Sequence, residues 1–348
     1  MTNHRTGQIR RDIVVVGSSA GGLPALQQLV AGLPMDFDAA VLIVQHMPAY
    51  SPSNLHHILG RQGNLPVMVA RDGEEIESGN VYVATPDHHL LVENGKMLVK
   101  RGPKENRFRP SIDALFRSAA YNYGSRVIGV VLSGALDDGT SGCWTIKRLG
   151  GVTITQDPDD SLFPQMPLNA QEHVAIDYSL PAAKIAALLS RLINEPGGAN
   201  PKLTTKEKKL LEVELVIAKT GGAFQLGIIN LGELSPFTCP ECHGALVQLT
   251  DGEIIRFRCH TGHAYTINAL LSEVSTNIEG ILTQAMQSLE ESTMLLIRLG
   301  EHFDSKKMSD IARVFYDKAS QVQKQSRNVY DAVQSQQIIS ADIRYEHD

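Results

Sequence analysis

Cysteine, aromatic residues and long apolar runs are all scarce in this chain of 348 residues. Its four cysteines are too few for a disulfide framework, and the 5% of aromatic residues disfavours surfaces that stack on sugars or bases. No apolar run approaches the ~18 residues of a membrane span, and the amino terminus lacks the apolar segment of a secretory signal. A net charge of −6 argues against broad binding of nucleic acid. We therefore expect a soluble cytoplasmic protein that neither inserts into membranes nor binds nucleic acid.

The first part of the chain alternates short apolar runs with helical patterns. The predicted strands are Ile13–Val16, Ala40–Val44, Val67–Ala70, Val81–Ala84, Met97–Lys100, Val127–Leu132 and Val152–Thr155. The predicted helices are Gly22–Gly32, Ser53–Arg61, Ser111–Tyr121, Gly139–Leu149 and Ala182–Ile193. Continuous apolar strands separated by helices favour a mostly parallel sheet that is covered on both faces. The prediction is an α/β domain with a doubly wound sheet over residues 1–194.

Beyond residue 194 the composition changes in three steps. Two prolines and two glycines within residues 195–201 mark a linker, which we extend through a charged helical pattern to residue 235. Residues 236–265 hold three of the four cysteines in a small Cys/His module. Residues 266–348 show apolar positions spaced by threes and fours, interrupted near Gly300. That spacing is typical of a helical hairpin or coiled coil, which could form a homodimer or bind a partner.

A glycine-rich turn follows the first predicted strand, where residues 17–22 read Gly-Ser-Ser-Ala-Gly-Gly. The turn lacks the middle glycine of a dinucleotide-binding fingerprint, because position 19 is serine. The same residues fit Gly-x-Ser-x-Gly centred on Ser19, a turn that lifts a serine hydroxyl above the carboxyl edge of a sheet. The alternative is that Ser18 and Ser19 only cap the following helix. Both interpretations stay open at this point.

A nucleophilic serine needs a base, and His46 ends the second predicted strand, where neighbouring strands lie about 4.8 Å apart. The strand that ends at Leu132 leads to Asp137 and Asp138, either of which could orient the imidazole. Both aspartates could instead serve as turn or capping residues of the next helix. A second catalytic assignment, in the Ser-Asp-His order of α/β-hydrolases, would pair Asp138 with His173 and leave His46 unused.

Eight short motifs are spread over residues 12 to 190. They are Gly17–Gly22, Gln45–Pro48, Val81–Pro86, His89–Leu91, Arg109–Ala119, Ser133–Gly142, Gln156–Asp157 and Phe163–Pro167. Together they closely resemble the catalytic domain of chemotaxis protein-glutamate methylesterases, the CheB family. The resemblance implies a serine esterase that hydrolyses glutamate γ-methyl esters on methyl-accepting chemoreceptors, and some members also deamidate receptor glutamines. It implies no cofactor for catalysis.

The resemblance also implies a role for each candidate residue. It makes Ser19 the nucleophile, His46 the base and Asp138 the orienting acid, and so selects Asp138 over Asp137. Typical members carry an amino-terminal receiver domain, whereas only 12 residues precede the first predicted strand here. We therefore interpret the chain as a receiver-less type with a carboxyl-terminal Cys/His module.

The oxyanion of the reaction is implied to bind the backbone N–H groups of Ala20 and Ala135. Two departures from the family pattern lie close to these groups. Ala20 stands where Thr is common, and Leu136 replaces a Gly that could be required at a positive φ. These departures motivate an alternative hypothesis, in which a degenerate esterase domain only binds a receptor or another partner.

The Cys/His module has the ligand spacing of a metal site. Cys239, Cys242, Cys259 and His263 form the pattern C-x₂-C-x₁₆-C-x₃-H. Thiolate and imidazole ligands favour tetrahedral Zn²⁺, and four protein ligands make a closed structural site. His260 is the alternative fourth ligand. The prediction is a small zinc-ribbon-like module that holds a structural Zn²⁺.

Overall fold

The computed structural model describes residues 10–50 and 53–340, with side chains as far as residue 335. Residues 1–9 of the predicted first domain and residues 341–348 of the predicted hairpin lie outside this range. The described residues group into two compact units, of which the first ends at Ala269 and the second begins at Leu270. Among the described helices, none has the length and apolar character that a membrane crossing needs.

Nine strands lie among the described residues of the first part of the chain. They are β1 (Ile13–Ser18), β2 (Ala40–Gln45), β3 (Val67–Val69), β4 (Val81–Val83), β5 (His89–Glu93), β6 (Lys96–Lys100), β7 (Val127–Val131), β8 (Val152–Gln156) and β9 (Tyr178–Leu180). Seven of them form one sheet in the order β3-β4-β2-β1-β7-β8-β9, and every neighbouring pair is parallel. The predicted doubly wound sheet is confirmed. Because β2 and β7 lie on opposite sides of β1, the carboxyl end of β1 is a switch point, where open α/β sheets bind ligands.

Helices cover both faces of this sheet. They are α1 (Leu23–Gly32), α2 (Leu55–Gly60), α3 (Ile112–Tyr123), α4 (Thr140–Arg148), α5 (Gln165–His173) and α6 (Ala182–Leu192). Alternate residues of a strand point to opposite faces, and in β1 both sets are apolar. Val14 and Val16 join a core with α1 and α6, while Ile13 and Val15 join a second core with α3. This double burial holds β1, and the turn that follows it, in the centre of the fold.

The predicted strand Met97–Lys100 is present, but it lies outside the parallel sheet. It belongs to β6, which pairs antiparallel with β5 in a separate two-stranded sheet. Asn94 and Gly95 join the two strands, and both have positive φ, as a two-residue hairpin turn requires. An apolar run does not distinguish a hairpin strand from a strand of the central sheet. The prediction also missed α5 and β9, whose segments carry too few apolar residues to show a period.

The connector and the Cys/His module follow the sheet. Helix α7 (Thr205–Thr220) begins with a capping box formed by Thr204 and Glu207. Four antiparallel strands then form the module, namely β10 (Glu233–Thr238), β11 (Ala245–Asp251), β12 (Ile254–Cys259) and β13 (Ala264–Thr266). These elements belong to the first compact unit.

Two long helices end the described chain, α8 (Ile267–Ser305) and α9 (Ser309–Ser340). Helices were predicted here with a break near Gly300. The glycine itself lies inside α8, and the break between the two helices falls at residues 306–308. A Cβ at position 300 would stand 2.5 Å from Cε1 of Tyr316, so the glycine lets α9 approach closely. The turn comes later, where Lys307 adopts a φ of 62°. Pairing of these helices with a second copy or a partner stays a prediction.

Candidate active site

Ser19 lies in the turn between β1 and α1, above the carboxyl edge of the sheet. Gly17 faces α3, and a Cβ added to it would stand 2.3 Å from Cγ2 of Ile112. Gly21 has a φ of 66°, in the left-handed region that favours glycine. The two glycines of the Gly-x-Ser-x-Gly pattern are therefore required by a close approach and by a backbone turn.

His46 directly follows β2 and faces Ser19. Ser18 pairs with Gln45 in the sheet, so the parallel register puts residue 46 beside residue 19. Nδ1 of His46 lies 3.1 Å from Oγ of Ser19. The Gln45 side-chain amide donates to the carbonyl groups of Ser19 and His46 at 2.9 and 3.1 Å. The ring of Phe108 stacks on the imidazole with centroids 3.7 Å apart, so contacts with Gln45 and Phe108 hold His46 in place.

Asp138 completes a chain of hydrogen bonds. Its Oδ2 is 2.8 Å from Nε2 of His46, and both side chains are almost fully buried. The carboxylate lies at the N-terminus of α3, where Ile112 N–H donates to Oδ2 at 2.7 Å and Asp113 N–H to Oδ1 at 3.2 Å. Unpaired N–H groups at a helix N-terminus stabilise an anion. Burial alone would raise the pKa of Asp138, but His46 and the surrounding donors lower it to about 2.

The ionised Asp138 decides which nitrogen of His46 carries the proton. A carboxylate only accepts hydrogen bonds, so the proton of the neutral ring lies on Nε2. Nδ1 then presents its lone pair to the hydroxyl of Ser19. The arrangement can accept the serine proton at Nδ1 and stabilise the resulting imidazolium through Asp138.

Asp137 lies next to this chain of hydrogen bonds, but its carboxylate bonds to Thr266 and not to His46. Its Oδ1 accepts the hydroxyl of Thr266 at 2.6 Å. Burial, together with the charge of Asp138, raises the pKa of Asp137 to about 6. The structure therefore brings Asp138, and not Asp137, to the imidazole.

His173, the base of the second assignment, stands apart from Ser19 in the described contacts. It is exposed at the end of α5, and its Nδ1 lies 3.0 Å from the carbonyl oxygen of Asn169. The side chains that the structure brings together are those of Ser19, His46 and Asp138.

The loop after β7 lies against the serine. Ser19 N–H donates to the carbonyl of Ser133 at 3.0 Å, and a Cβ on Gly134 would stand 2.8 Å from Cβ of Ser19. Within the part of the chain that the structure describes, the backbone N–H groups of Ala20 and Ala135 donate no hydrogen bond. Their role as oxyanion donors stays a prediction.

Leu136 adopts a φ of 63°, so this position does need the left-handed backbone that a glycine would favour. For a residue with a Cβ that conformation costs about 1–2 kcal/mol. The carbonyl of Leu136 accepts the side-chain amide of Asn169 at 2.8 Å, which helps to hold the turn. The turn is thus present in spite of the substitution.

Sequence reasoning missed the residues that support Asp138 from behind. Asn106 and Ser111 donate to its Oδ1 at 2.9 and 3.0 Å. Nδ1 of His89 accepts the Ser111 N–H at 3.2 Å, and burial lowers the pKa of His89, so the ring stays neutral. His89 and Ser111 lie within the family-like motifs, which was their only signal. Asn106 lies outside every motif.

Comparison with known proteins assigns this domain to one family. A family model described as CheB methylesterase matches residues 14–189, which is 176 of the 348 residues. A Leptospira interrogans protein, named for methylesterase and glutaminase activities, is 41% identical over 182 residues. That match covers 52% of this chain and 94% of the relative. The chain belongs to the CheB methylesterase family.

Other methylesterases match the same half of the chain. A protein-glutamate methylesterase/protein-glutamine glutaminase of Thermotoga maritima is 38% identical over 185 residues, which is 52% of this chain and 54% of that protein. The solved CheB methylesterase catalytic domain of Thermotoga maritima has a TM-score of 0.51 at 38% identity, and covers 53% of this chain and 100% of that domain. The chain thus spans about half the length of the longer relative, and the Cys/His module lies outside the methylesterase match.

Four potential metal ligands converge in that module. Cys239, Cys242, Cys259 and His263 each present one ligand atom, and these atoms lie within 4.8 Å of one another. The sulfur atoms of Cys239 and Cys259 are each 3.6 Å from Nδ1 of His263. This donor set could bind a metal ion, and three thiols with one imidazole are the chemistry of a closed tetrahedral zinc site.

His263, rather than His260, joins this cluster. Its Nε2 is 3.4 Å from a carboxylate oxygen of Glu241, so its Nδ1 faces the sulfur atoms of Cys239 and Cys259. A carboxylate behind a histidine ligand is common in metal sites, because it sets the orientation of the ring. His260 is exposed and lies beside Gly244, where an added Cβ would stand 2.0 Å from its Nδ1.

Proposed function

We propose that this chain is a serine esterase that hydrolyses γ-methyl esters of glutamate side chains on a methyl-accepting chemoreceptor. Deamidation of receptor glutamine is a second reaction of the same site. The observation that carries the proposal is the hydrogen-bond chain from Ser19 through His46 to Asp138. Membership of the CheB methylesterase family and the names of the relatives supply the substrate class.

The reaction begins when Oγ of Ser19 attacks the ester carbonyl and passes its proton to Nδ1 of His46. The tetrahedral oxyanion accepts hydrogen bonds from the backbone N–H groups of Ala20 and Ala135. One such donor contributes about 10²–10³ to the rate. The imidazolium then protonates the leaving methoxide as the intermediate collapses and its bond to the ester carbon breaks. Methanol departs and leaves a glutamyl ester on Ser19. Each positioned proton transfer contributes about 10²–10⁴.

Water completes the cycle. Water attacks the glutamyl ester while His46 accepts a proton from it. His46 then returns a proton to Oγ of Ser19. Asp138 keeps the neutral ring protonated on Nε2 and stabilises the imidazolium in both halves. A glutamine side chain reaches the same acyl intermediate by releasing ammonia in place of methanol.

Methanol release from a methylated chemoreceptor tests this function. We expect Ser19→Ala to lower the rate on the order of 10⁶-fold, because the nucleophile is lost. Ser18→Ala is the matched control: its buried hydroxyl has no hydrogen-bond partner among the described atoms, so methanol release should persist. No release by the wild-type protein, or equal release by Ser19→Ala, contradicts the proposal.

A fluorophosphonate probe separates this function from the alternative of a degenerate domain that only binds a receptor. The probe labels an activated serine, so we expect one label per chain, located at Ser19. A receptor-binding chain that stays unlabelled would support the binding-only alternative.

We further propose that Cys239, Cys242, Cys259 and His263 hold a structural Zn²⁺. No described cysteine forms a disulfide bond, so the three thiol groups of the cluster are available to a metal ion. Elemental analysis of the purified chain should find about one zinc per molecule, and Cys239→Ser should lower that content. A chain purified without chelators that contains no zinc would reject this proposal.

A further inference from the structure

The Cys/His module reaches the catalytic acid through one buried asparagine. Asn106 is 4% exposed, and its Nδ2 donates to Oδ1 of Asp138 and to Oδ2 of Asp113 at 2.9 Å each. Its Oδ1 accepts the backbone N–H of Thr266 in β13 at 3.0 Å. Its own backbone N–H donates to the carbonyl of Ala264 at 2.8 Å. The side chain therefore bridges Asp138 and the last strand of the module.

The partners of Asn106 determine the orientation of its amide. A backbone N–H only donates and a carboxylate only accepts, so Oδ1 faces Thr266 and Nδ2 faces Asp138. The residue has a φ of 49°, a left-handed conformation in which asparagine is enriched. Such a conformation persists where surrounding contacts hold it, and β13 supplies two of those contacts.

The loop that carries Asn106 also carries the residue that stacks on the base. Glu105 and Phe108 close this loop by exchanging two backbone hydrogen bonds of 3.1 and 2.9 Å. The ring of Phe108 lies 3.7 Å from that of His46, with 11° between their planes. A displacement of the loop would therefore disturb both the acid and the base.

A buried arginine of the module anchors the same loop. Arg258 in β12 is fully buried and donates to Oε1 of Glu105 at 2.9 Å and to the carbonyl of Gly262 at 2.8 Å. Burial alone would raise the pKa of Glu105, but the guanidinium groups of Arg117 and Arg258 hold it below its ordinary value. The loop is thus joined to the module by an ion pair as well as by backbone hydrogen bonds.

The potential metal ligands border these contacts in the chain. Arg258 immediately precedes Cys259, and β13 starts directly after His263. The turn between these two ligands is closed by a hydrogen bond of 3.0 Å from Cys259 N–H to the carbonyl of His263. An ion bound to both residues would hold this turn, and with it the start of β13.

We propose that the Cys/His module positions the catalytic acid: β13 holds the Asn106 amide against Asp138, and a bound metal ion keeps β13 in place. Asn106 is thus a positioning residue, and loss of the metal lowers the esterase rate without removing any catalytic group. The rate effect rests on the proposed esterase function of Ser19.

The first test compares Asn106→Ala with Asn122→Ala. The Asn122 side chain likewise makes three hydrogen bonds, at the end of α3 away from the site. Its Nδ2 donates to the carbonyls of Val92 and Ser118, and its Oδ1 accepts the N–H of Asn94. Misplacement of a catalytic group by about 1 Å costs about 10²-fold. We expect Asn106→Ala to lower kcat and the rate of fluorophosphonate labelling by roughly that factor with KM unchanged, and Asn122→Ala to leave both unchanged.

The second test removes the metal with a chelator from the wild-type chain and from Asn106→Ala, then restores it with Zn²⁺. If the module acts through Asn106, metal removal slows labelling of the wild type and changes Asn106→Ala much less. Equal proportional losses in both chains would show that the metal acts by another route, and a wild type indifferent to metal would overturn the proposal. Recovery with Zn²⁺ excludes irreversible damage.

A readout that does not depend on activity separates the two proposals. The proton shared by His46 and Asp138 should give a downfield ¹H resonance, which we expect to shift or broaden in Asn106→Ala and on metal removal. A wild type that shows this response without esterase activity would contradict the proposed function and leave the positioning role intact. A resonance unchanged in both cases would overturn the positioning role.

Discussion

Asp137 and Asp138 are neighbours in the chain, yet their carboxyl groups lie in opposite electrostatic settings. Asp138 meets His46 and the N-terminus of α3, which lower its pKa to about 2. Asp137 is buried with the hydroxyl of Thr266 as a partner, and its pKa rises to about 6. Asp138 therefore stays ionised throughout the neutral range and accepts the Nε2 proton of His46.

At the residue scale we expect Asp137→Asn to stabilise the protein in a pH-dependent way. A carboxyl whose folded pKa is raised favours the folded state below its unfolded value of 3.8, and that contribution is lost as pH rises towards about 6. The neutral amide avoids this loss. In urea unfolding, the free-energy advantage of Asp137→Asn should grow between pH 4 and 6 and level off near 3 kcal/mol, roughly, above that range. An advantage that is constant with pH would contradict the assigned shift.

The strained backbone at Leu136 leads to a second prediction at this scale. Leu136→Gly should relieve about 1–2 kcal/mol of left-handed strain, less roughly 0.4–1 kcal/mol of added freedom in the unfolded chain. We expect a modest rise in thermal stability and an unchanged esterase rate. Leu136→Ala, which keeps a Cβ at the same φ, should show no rise. Equal stabilities of the Gly and Ala variants would argue that φ is not the source of strain.

At the scale of elements, strand ends and helix ends carry the site. The carboxyl ends of β1 and β2 bring Ser19 beside His46, and the N-terminus of α3 receives the carboxylate of Asp138. The strands of the Cys/His module add a second layer, because β13 contacts the asparagine behind that carboxylate. The module thus contacts residues that hold the carboxylate of Asp138 in the methylesterase domain.

Glu241 gives a prediction for the metal ligands. Because its carboxylate lies behind His263, Glu241→Ala should lower the affinity for zinc roughly 10- to 100-fold. Competition with a chromophoric chelator measures this affinity. Glu233→Ala, at an exposed position of β10, is the control and should keep the wild-type affinity. If both variants bound zinc equally well, Glu241 would have no role in orienting the ligand.

At the scale of the whole molecule, a buried ionic cluster joins four segments of the first compact unit. Its members come from α3, the loop before it, α7 and the module, and they are Glu105, Arg117, Glu214, Asp251, Arg256 and Arg258. Buried charges are tolerated only when they are paired and hydrogen-bonded. The cluster therefore specifies how the module packs against the methylesterase domain.

Arg256→Met tests the importance of this cluster. The change leaves Glu214 and Asp251 short of a buried cation, and breaking a buried pair costs about 3–5 kcal/mol. Lys208→Met removes one partner of the exposed pair with Glu212 and should change the free energy of unfolding by at most about 1 kcal/mol. Chemical denaturation of both variants measures the difference. Equal effects would mean that burial does not strengthen the cluster.

The local pattern of apolar residues was sufficient to predict most strands of the central sheet. Six of the seven predicted strands lie in the parallel sheet, because residues buried on both faces form continuous apolar runs. The same rule failed at Met97–Lys100, since strand pairing depends on the neighbouring segment and not on the run itself. A second local signal, the glycine at position 300, does not mark the end of the helix. The helix continues through Gly300, which allows the close approach of Tyr316.

What the sequence by itself determined is the position of each chemical group along its own element. Ser19 follows β1, His46 follows β2, and four potential metal ligands recur at ribbon spacing. All of these are consequences of local order. The residues alone left Asp137 and Asp138 open, and the family resemblance selected Asp138. Only the tertiary structure decided which side chains lie behind that carboxylate. Asn106 meets Thr266 across 160 positions of the chain. Contacts between residues so far apart depend on the packing of whole elements, so no local pattern in the sequence can specify them.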